Sequence, residues 1–583
     1  PENPLCLITD DCSALAPTLA ATLIKQGWET AVLRFAGTSV FSTKKRKSFP
    51  KQTALIELSS SEETELQSSL KDLEEKHGNI GGLINLNPAS AASGSLNLQE
   101  GANTFLRHAF ITVKNAAASI KQASNSGSRR SLFVSVCRMD GQLGMGSGEY
   151  GAVVSGLSGL VKTASVEWPE VFCRFVDLHP KLPADEAANC ILQELHDPNS
   201  NIKEVGYFPS DKSAVNRVTV SPKKVRDLTT SDAGSSVTPE SVFLVSGGAR
   251  GVTAECVIKL AETQPCSFIL LGRSKVEDEP SWASAAGNDK TRLKQEAMKM
   301  LVDSGEKPTP AKVDSITGNV EAARTIRNTL ERIRNTGSRA EYISTDVTDS
   351  KKMKSAIAPA VKDFGAVTGV IHGAGVLADK LIEKKTSADF DRVCSTKING
   401  IDALLKCVNP KKLTHLLMFS SAAGFYGNAG QSDYAVANES LNRIALLFKQ
   451  KYSKCHVTSF NWGPWEGGMV TPELKRLFED RNVEVISVED GTRVFVEEVT
   501  SAGQENPIVL IGNSMANPQQ PVNGFPKWAV SRKINLEKSP VFHDHKIGGT
   551  SVLPAVHAIS WMIDSCLQKY NGFRFSSCKD FKV

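Results

Sequence analysis

The chain has 583 residues, too many for one ordinary hydrophobic core, so size alone predicts about two to four domains. Its 68 basic and 63 acidic residues leave a formal net charge of only +5, dispersed along the chain, and no apolar run approaches the length of a bilayer span, which argues against nucleic-acid and membrane partners. Twelve cysteines without a C-x-x-C pair or a Cys/His cluster predict no metal site and fit reduced, buried thiols in a cytoplasmic protein that begins, at Pro1, as a piece of a longer polypeptide.

In chain order, short apolar runs alternate with longer amphipathic stretches, the pattern of β-α units on a parallel sheet, and the fold class is therefore α/β. In the first half, "PLCLITDD", "ETAVLRF", "GGLINLNP", "SLFVSVC" and "FCRFVDLHP" read as strands. The second half repeats the plan with "SVFLVSGG", "SFILLGRS", "AEYISTD", "VTGVIHGAG", "THLLMFSS" and "HVTSFNWG". Two tandem Rossmann-like subdomains are expected, residues 1–225 and 226–512, joined through the polar connector "SPKKVRDLTTSDAGSSVTPE".

The copies differ where chemistry is done. Asp10 and Asp11 stand opposite Gly247 and Gly248, and two carboxylates there would repel a pyrophosphate. Tyr150 corresponds to Tyr434, but Cys137 precedes it by thirteen residues and Val154 follows it by four. The first copy therefore reads as a structural pseudo-Rossmann subdomain. Lys114, thirty-six residues before Tyr150, is the feature that tempers this, and a lone helical lysine is expected to be a solvated surface charge.

In the second copy, "VFLVSGGARGVTA" places Gly247, Gly248, Arg250, Gly251 and Val252 at a strand-to-helix turn, where a cofactor pyrophosphate could reach the helix N-terminus. Thr253 occupies the position of the usual last glycine. The next strand ends in Arg273 and Ser274; a cation here, aided by Arg250, suits the 2′-phosphate of NADPH where an acidic residue would suit NADH. Asp346 and Val347 are placed to border an adenine, and Gly373 and Gly375 to lie beside a ribose. The seventy-three residues from Arg273 to Asp346 predict an insertion on the outer surface.

Reducing a ketone builds charge on oxygen, which calls for a proton donor, a second hydrogen-bond donor and a cation to lower the donor's pKa. Tyr434 can be the acid, with Ser421 thirteen residues before it as the second donor. The commonest arrangement has lysine where Asn438 stands, four residues after the tyrosine; here the lysine lies thirty-seven residues upstream, at Lys397. Lysine and asparagine have exchanged helices, and Asn438, one turn beyond Tyr434, faces the same side and can order a water relay.

This exchange, with "NWGPWEGGM" and the degenerate first copy, resembles the ketoreductase region of polyunsaturated fatty acid and polyketide synthases, over about residues 1–512. The resemblance implies a short-chain-dehydrogenase-type fold and NADPH-dependent reduction of a 3-ketoacyl chain carried on the phosphopantetheine of an acyl carrier protein, alongside other domains of a multienzyme. Within that family "VLADK" resembles the Leu-Asp-Asp motif of reductases giving the 3R alcohol, with Asp379 kept as the stereocontrol candidate and Ala378 replacing the middle Asp; Tyr426 stands where the opposite class has tryptophan.

After a linker over 513–535, residues 536–583 carry "HDHKIGGTSVLPAVHAISWMI", which fits H-x-x-x-G-x-x-x-x-P with His545, Gly549 and Pro554 and resembles the start of a hot-dog dehydratase. His545 reads as half of an interrupted site, as part of a vestigial docking fold, or as unrelated to catalysis; His543 and His557 have no motif support. Two alternatives to the reductase remain: a non-catalytic docking scaffold of the same megasynthase, and a free dehydrogenase of small alcohols.

Overall fold

The computed structural model describes residues 4–36, 48–87, 102–125, 130–146, 150–210, 214–223, 237–466, 472–480, 483–501, 506–513, 546–547, 550–551 and 554–569. The chain divides into two compact units, Pro1–Gln519 and Gln520–Val583. Among the described residues no helix is long and apolar enough to cross a membrane, and no group of His, Cys, Asp or Glu could hold a metal ion.

The first unit holds two sheets. In the first, strands β1 (Leu5–Thr9), β2 (Glu29–Arg34), β3 (Ala54–Glu57), β4 (Ile80–Leu86), β5 (Leu132–Cys137), β6 (Phe172–Leu178), β7 (Glu204–Pro209) and β8 (Val215–Thr219) lie in the order β3-β2-β1-β4-β5-β6-β7-β8. All pairings are parallel except the β7–β8 hairpin. The second sheet comprises β9 (Val242–Ser246), β10 (Ser267–Gly272), β11 (Arg339–Ser344), β12 (Gly369–His372), β13 (His415–Ser421), β14 (His456–Trp462) and β15 (Ile508–Ile511), all parallel, in the order β11-β10-β9-β12-β13-β14-β15. Helices cover both faces, so the central strands β1, β4, β5, β6, β9, β12 and β13 are buried along their whole length, which is why they read as unbroken apolar runs. The strand order reverses between β9 and β12, where a doubly wound sheet opens a crevice at its carboxyl edge. Four strands escape the sequence reading: β3 and β15 are four residues long and only partly buried, while β7 and β8 form an edge hairpin.

The two copies pack helix against helix. The Leu157–Glu167 helix lies on the Ser432–Lys451 helix so closely that a Cβ on Gly159 would fall 2.4 Å from the Ala435 carbonyl oxygen. The Ala102–Asn125 helix meets the Ser387–Cys394 helix, with Phe110 stacked on Phe390 at 4.4 Å between ring centroids. One apolar cluster runs through both copies, including Phe110, Trp168, Phe390, Leu441 and Phe448. Inside this contact sit four charged side chains: Lys162 pairs with Glu204 at 3.0 Å and Glu439 at 3.5 Å, and Arg443 pairs with Glu204 at 2.5 Å and Glu439 at 2.6 Å. Burial opposes the charge on Glu204, yet Lys162 and Arg443 hold its carboxyl below the ordinary range. Lys114 is not the solvated charge expected of it: it forms a half-buried ion pair with Glu63 at 2.6 Å.

The long segment after Arg273 forms three helices, Ser281–Ala286, Lys290–Asp303 and Pro310–Asn335, and the first two pack in small apolar clusters against Val313 and Val320 of the third. The third is the crossover helix into β11, and Ile326 and Ile333 join the main core. The surplus therefore comprises the two short helices and the start of the third, up to about Val320. Ten cysteines are described, nine buried and Cys407 partly so. In the second unit Lys546–Ile547 pairs antiparallel with Thr550–Ser551, followed by a helix at Ala555–Lys569, in which His557 meets Trp561 edge to face. His543, His545 and Gly549 lie outside the described residues.

Candidate active site

β9 ends at Ser246, and the chain turns through Gly247 (φ +70°) and Gly251 (φ +65°) into the Gly251–Thr263 helix. A Cβ on Gly247 would sit 2.9 Å from the Ala374 nitrogen, whereas one on Gly251 would meet nothing within 4 Å. No side chain caps this helix, so its first N–H groups take no side-chain partner, an arrangement suited to an anion. Gly248 backs onto Val245, and Val252 is partly buried in the helix's first turn. Thr253 is accommodated by its neighbour: a Cβ on Gly373 would lie 2.2 Å from Thr253 Oγ1, so the close approach comes from the facing loop. Arg250 and Arg273 are exposed and neither forms an ion pair among the described residues. The Ser274 carbonyl accepts from Tyr342 at 2.7 Å, and Asp346 is exposed and accepts from the Thr348 amide at 2.9 Å and hydroxyl at 2.8 Å. Val347 is buried beside Gly400. These residues fit a dinucleotide with an extra phosphate: an uncapped helix end, a glycine cradle and two unpaired cations along one crevice.

Ser421 closes β13 and caps the short Ala422–Tyr426 helix, its Oγ accepting from the Ala423 amide at 3.2 Å. Tyr434 lies in the first turn of the Ser432–Lys451 helix, and Asn438, one turn on, donates through Nδ2 to the Tyr434 carbonyl at 2.8 Å. The Asn438 Oδ1 is buried and takes no hydrogen bond among the described residues. Lys397 Nζ donates to the Phe419 carbonyl at 2.7 Å and stands 5.7 Å from the Tyr434 ring centroid. Gly375 clears its path, since a Cβ there would be 3.1 Å from Lys397 Cε. The structure thus gathers Lys397, Ser421 and Asn438 around Tyr434. Burial pulls Lys397 down to about 7. Burial also raises the Tyr434 phenol, with the Asp379 carboxylate acting in the same direction while side-chain hydrogen bonding to Asn438 and Ser421 opposes it.

Sequence reasoning missed the support for Lys397. The residue sits on a π-helical turn, Ser395–Asn399, which displaces backbone carbonyls from their usual partners. His372 Nε2 donates to the Lys397 carbonyl at 2.9 Å, so the neutral ring's Nδ1 accepts from Ser246 Oγ at 2.7 Å. Burial holds His372 down at about 3, keeping it neutral. The signal was present in "VIHGAG", a histidine inside an otherwise apolar strand.

Two loops frame the tyrosine. Gln431 donates to Asp379 at 3.0 Å, and the Lys380 amide donates to the Gly430 carbonyl at 2.9 Å. From the first copy, Glu167 accepts from the amides of Ile382 and Gly430, each at 2.8 Å, and so ties both loops to the Leu157–Glu167 helix. The first sheet reverses its strand order in the same way, between β1 and β4, but the residues at the corresponding positions make other contacts. Asp10 pairs with Arg34 at 2.8 Å, and Tyr150 is buried, with its hydroxyl donating toward the Gly144 and Arg443 carbonyls.

Residues 241–467 match the family model described as the KR domain. This segment is a KR domain. The whole chain is 32% identical, over 597 aligned positions, to one of the polyunsaturated fatty acid synthase subunits of Thraustochytrium sp., and it spans 20% of that relative's length. Among solved structures, an N-terminal ketoreductase from the macrolactin assembly line aligns with a TM-score of 0.60 at 18% identity, covering 88% of this chain and 87% of that one. A-type ketoreductases from a modular polyketide synthase align at 0.59 and 18%, covering 88% and 89%. At such identity these neighbours speak for the α/β fold that surrounds the KR segment, including the sheet of the first copy.

Proposed function

We propose that the KR domain reduces a 3-ketoacyl thioester, carried on the phosphopantetheine of an acyl carrier protein, to the 3-hydroxyacyl thioester within a polyunsaturated fatty acid or polyketide synthase of the cytoplasm. The observation that carries this reading is the meeting of Lys397, Ser421, Tyr434 and Asn438 beside an uncapped helix N-terminus. The cofactor supplies the hydride, and NADPH fits because Arg250 and Arg273 are free to meet a 2′-phosphate. Gly247, Gly248, Gly251 and Val252 would hold the pyrophosphate, Ser274, Asp346 and Val347 would border the adenosine, and Gly373 and Gly375 the inner ribose.

Within this reading the Ser421 hydroxyl and the Tyr434 phenol hold the substrate carbonyl, and the phenol passes its proton to that oxygen as the carbon is reduced. Lys397 then faces the phenolate, and the open Oδ1 of Asn438 accepts a proton-bearing water that restores the tyrosine. Asp379, beside Gln431, is the candidate that sets a 3R alcohol. Residues 1–225 serve as a non-catalytic brace, since Asp10 and Asp11 replace the glycine pair, and residues 226–512 carry the reaction. The segment 536–583 stays a hot-dog-like fragment by resemblance only.

The test follows NADPH oxidation by the intact chain with an acetoacetyl thioester, free and carrier-bound. Turnover is expected with NADPH, slower by about tenfold or more with NADH. No oxidation with either substrate would favour a docking scaffold, for which the eroded first copy is the precedent inside this chain. The cofactor site has its own check. Gly247→Ala forces a left-handed backbone angle on a residue with a Cβ and drives that Cβ onto Ala374, and is expected to weaken NADPH binding by about tenfold or more in a fluorescence titration.

A further inference from the structure

Beneath the two loops that frame Tyr434 lies an ion pair without contact with solvent. Lys385 Nζ meets Asp433 Oδ1 at 2.8 Å, and both side chains are 0% exposed. Lys385 also donates to the carbonyl of Ala378, seven residues earlier, while its own amide donates to the Leu381 carbonyl at 3.0 Å. The segment from Ala378 to Lys385 is thereby closed into a ring, with Asp379 on its exposed rim. Asp433 is the residue before Tyr434, and its Oδ1 accepts from the Tyr434 amide at 2.8 Å. One ammonium therefore joins the backbone of the loop bearing Asp379 to the first turn of the helix bearing Tyr434.

The pair is expensive as a source of stability. Two apolar side chains of similar size would serve folding as well or better, because both ions lose their water and the second oxygen of Asp433 has no hydrogen bond among the described residues. Burial pushes the Asp433 carboxyl up to about 6 even with Lys385 alongside. What an apolar pair could not supply is a fixed distance between the Ala378 carbonyl and the Tyr434 amide.

We infer that Lys385 and Asp433 are positioning residues: they hold the loop bearing Asp379 at a set distance from Tyr434 and so decide which face of the 3-keto group receives the hydride. The inference deepens the reductase reading and rests on it for the stereochemical outcome. Lys385→Met removes the link to Ala378, Asp433→Asn keeps an acceptor for the Tyr434 amide, and the double variant leaves no lone buried charge.

The decisive experiment compares the intact chain with both single variants and the double, measuring the 3R to 3S ratio of the hydroxyacyl product, kcat and KM separately, melting temperature, and hydrogen exchange of the amides between 378 and 381. Each single variant is expected to melt earlier and the double to recover most of that loss. The double variant should still reduce the substrate, but with a product ratio about tenfold closer to racemic, a raised KM, and faster exchange at the Lys380 amide. A folded double variant with the parental product ratio, or with unchanged exchange at Lys380, overturns the inference and makes the pair a matter of folding alone. If the double does not fold, Lys385→Met by itself carries the same two readouts. If the intact chain fails to oxidise NADPH, the reductase reading has failed separately, and the exchange measurement still decides whether the pair holds the loop.

Discussion

Tyr434→Phe is expected to lower NADPH oxidation with a 3-ketoacyl thioester by about a hundred- to ten-thousand-fold while leaving NADPH binding within about twofold of the parent. The substitution removes one oxygen. The bond from Asn438 Nδ2 goes to the backbone carbonyl of residue 434 and survives, as does the aromatic ring facing Lys397. The helix is anchored by apolar neighbours that the change does not touch. What disappears is the proton delivered to the substrate oxygen, so the loss should fall on kcat, and steady-state rates with a parallel binding titration separate the two. A variant that keeps more than about a tenth of the parental rate would place the acid elsewhere and sink the role assigned to this tyrosine.

The second large effect concerns stability. Arg443 sits between Glu204 of the first copy and Glu439 one turn back on its own helix, and it also donates to the Leu143 carbonyl. Arg443→Met would leave two buried carboxylates sharing the single cation of Lys162, at a cost of about 3–5 kcal/mol in denaturant unfolding. The pH response should reverse as well. In the parent, Glu204 is held below its ordinary range, so its contribution is present at neutral pH and is lost as pH falls through that lowered value. In the variant, the crowded carboxylates take up a proton more readily folded than unfolded, so stability relative to the parent should partly return between about pH 7 and pH 5. Equal stability at pH 7 would mean that the network contributes nothing to joining the copies.

The strands of both sheets were legible where burial on two faces leaves continuous aliphatic runs, as in "LCLIT" and "HLLMFSS", and illegible where the strand is short or at an edge, as in "ALIE" and "IVLI". The four catalytic candidates were legible because the lengths of strand and helix between them are fixed by the fold, so separations of thirteen, four and thirty-seven residues carry spatial meaning. The ion pairs around them were not. Lys385 finds Asp433 forty-eight residues away, and Glu167 reaches Ile382 across 215, distances at which no local periodicity links one charge to another. Lys114 shows the converse error: a helical lysine gives no hint that Glu63, fifty-one residues earlier, will cover it. A usable clue was the charge inside an apolar helix, for Glu439 and Arg443 interrupt a stretch in which nearly every residue is buried.

The close packing of the Leu157–Glu167 and Ser432–Lys451 helices, seen at Gly159 and again at Gly156 just before the first of them, bears on how such a pair of copies can evolve. Aligning Tyr150 with Tyr434 makes Ser440 the counterpart of Gly156, and these are the residues that touch: a Cβ on Gly156 would fall 2.0 Å from Ser440 Oγ. The same offset makes Arg443 the counterpart of Gly159 and Leu446 the counterpart of Lys162. Two identical protomers meeting about a twofold axis must place the same side chain on both sides of that axis, so a hollow can never answer a bump there. Written twice in one polypeptide, the two sides are separate genetic text. One helix can give up its side chains to make room while the other fills it with charge, and a partner can abandon its own reaction centre without surrendering the surface that holds its twin.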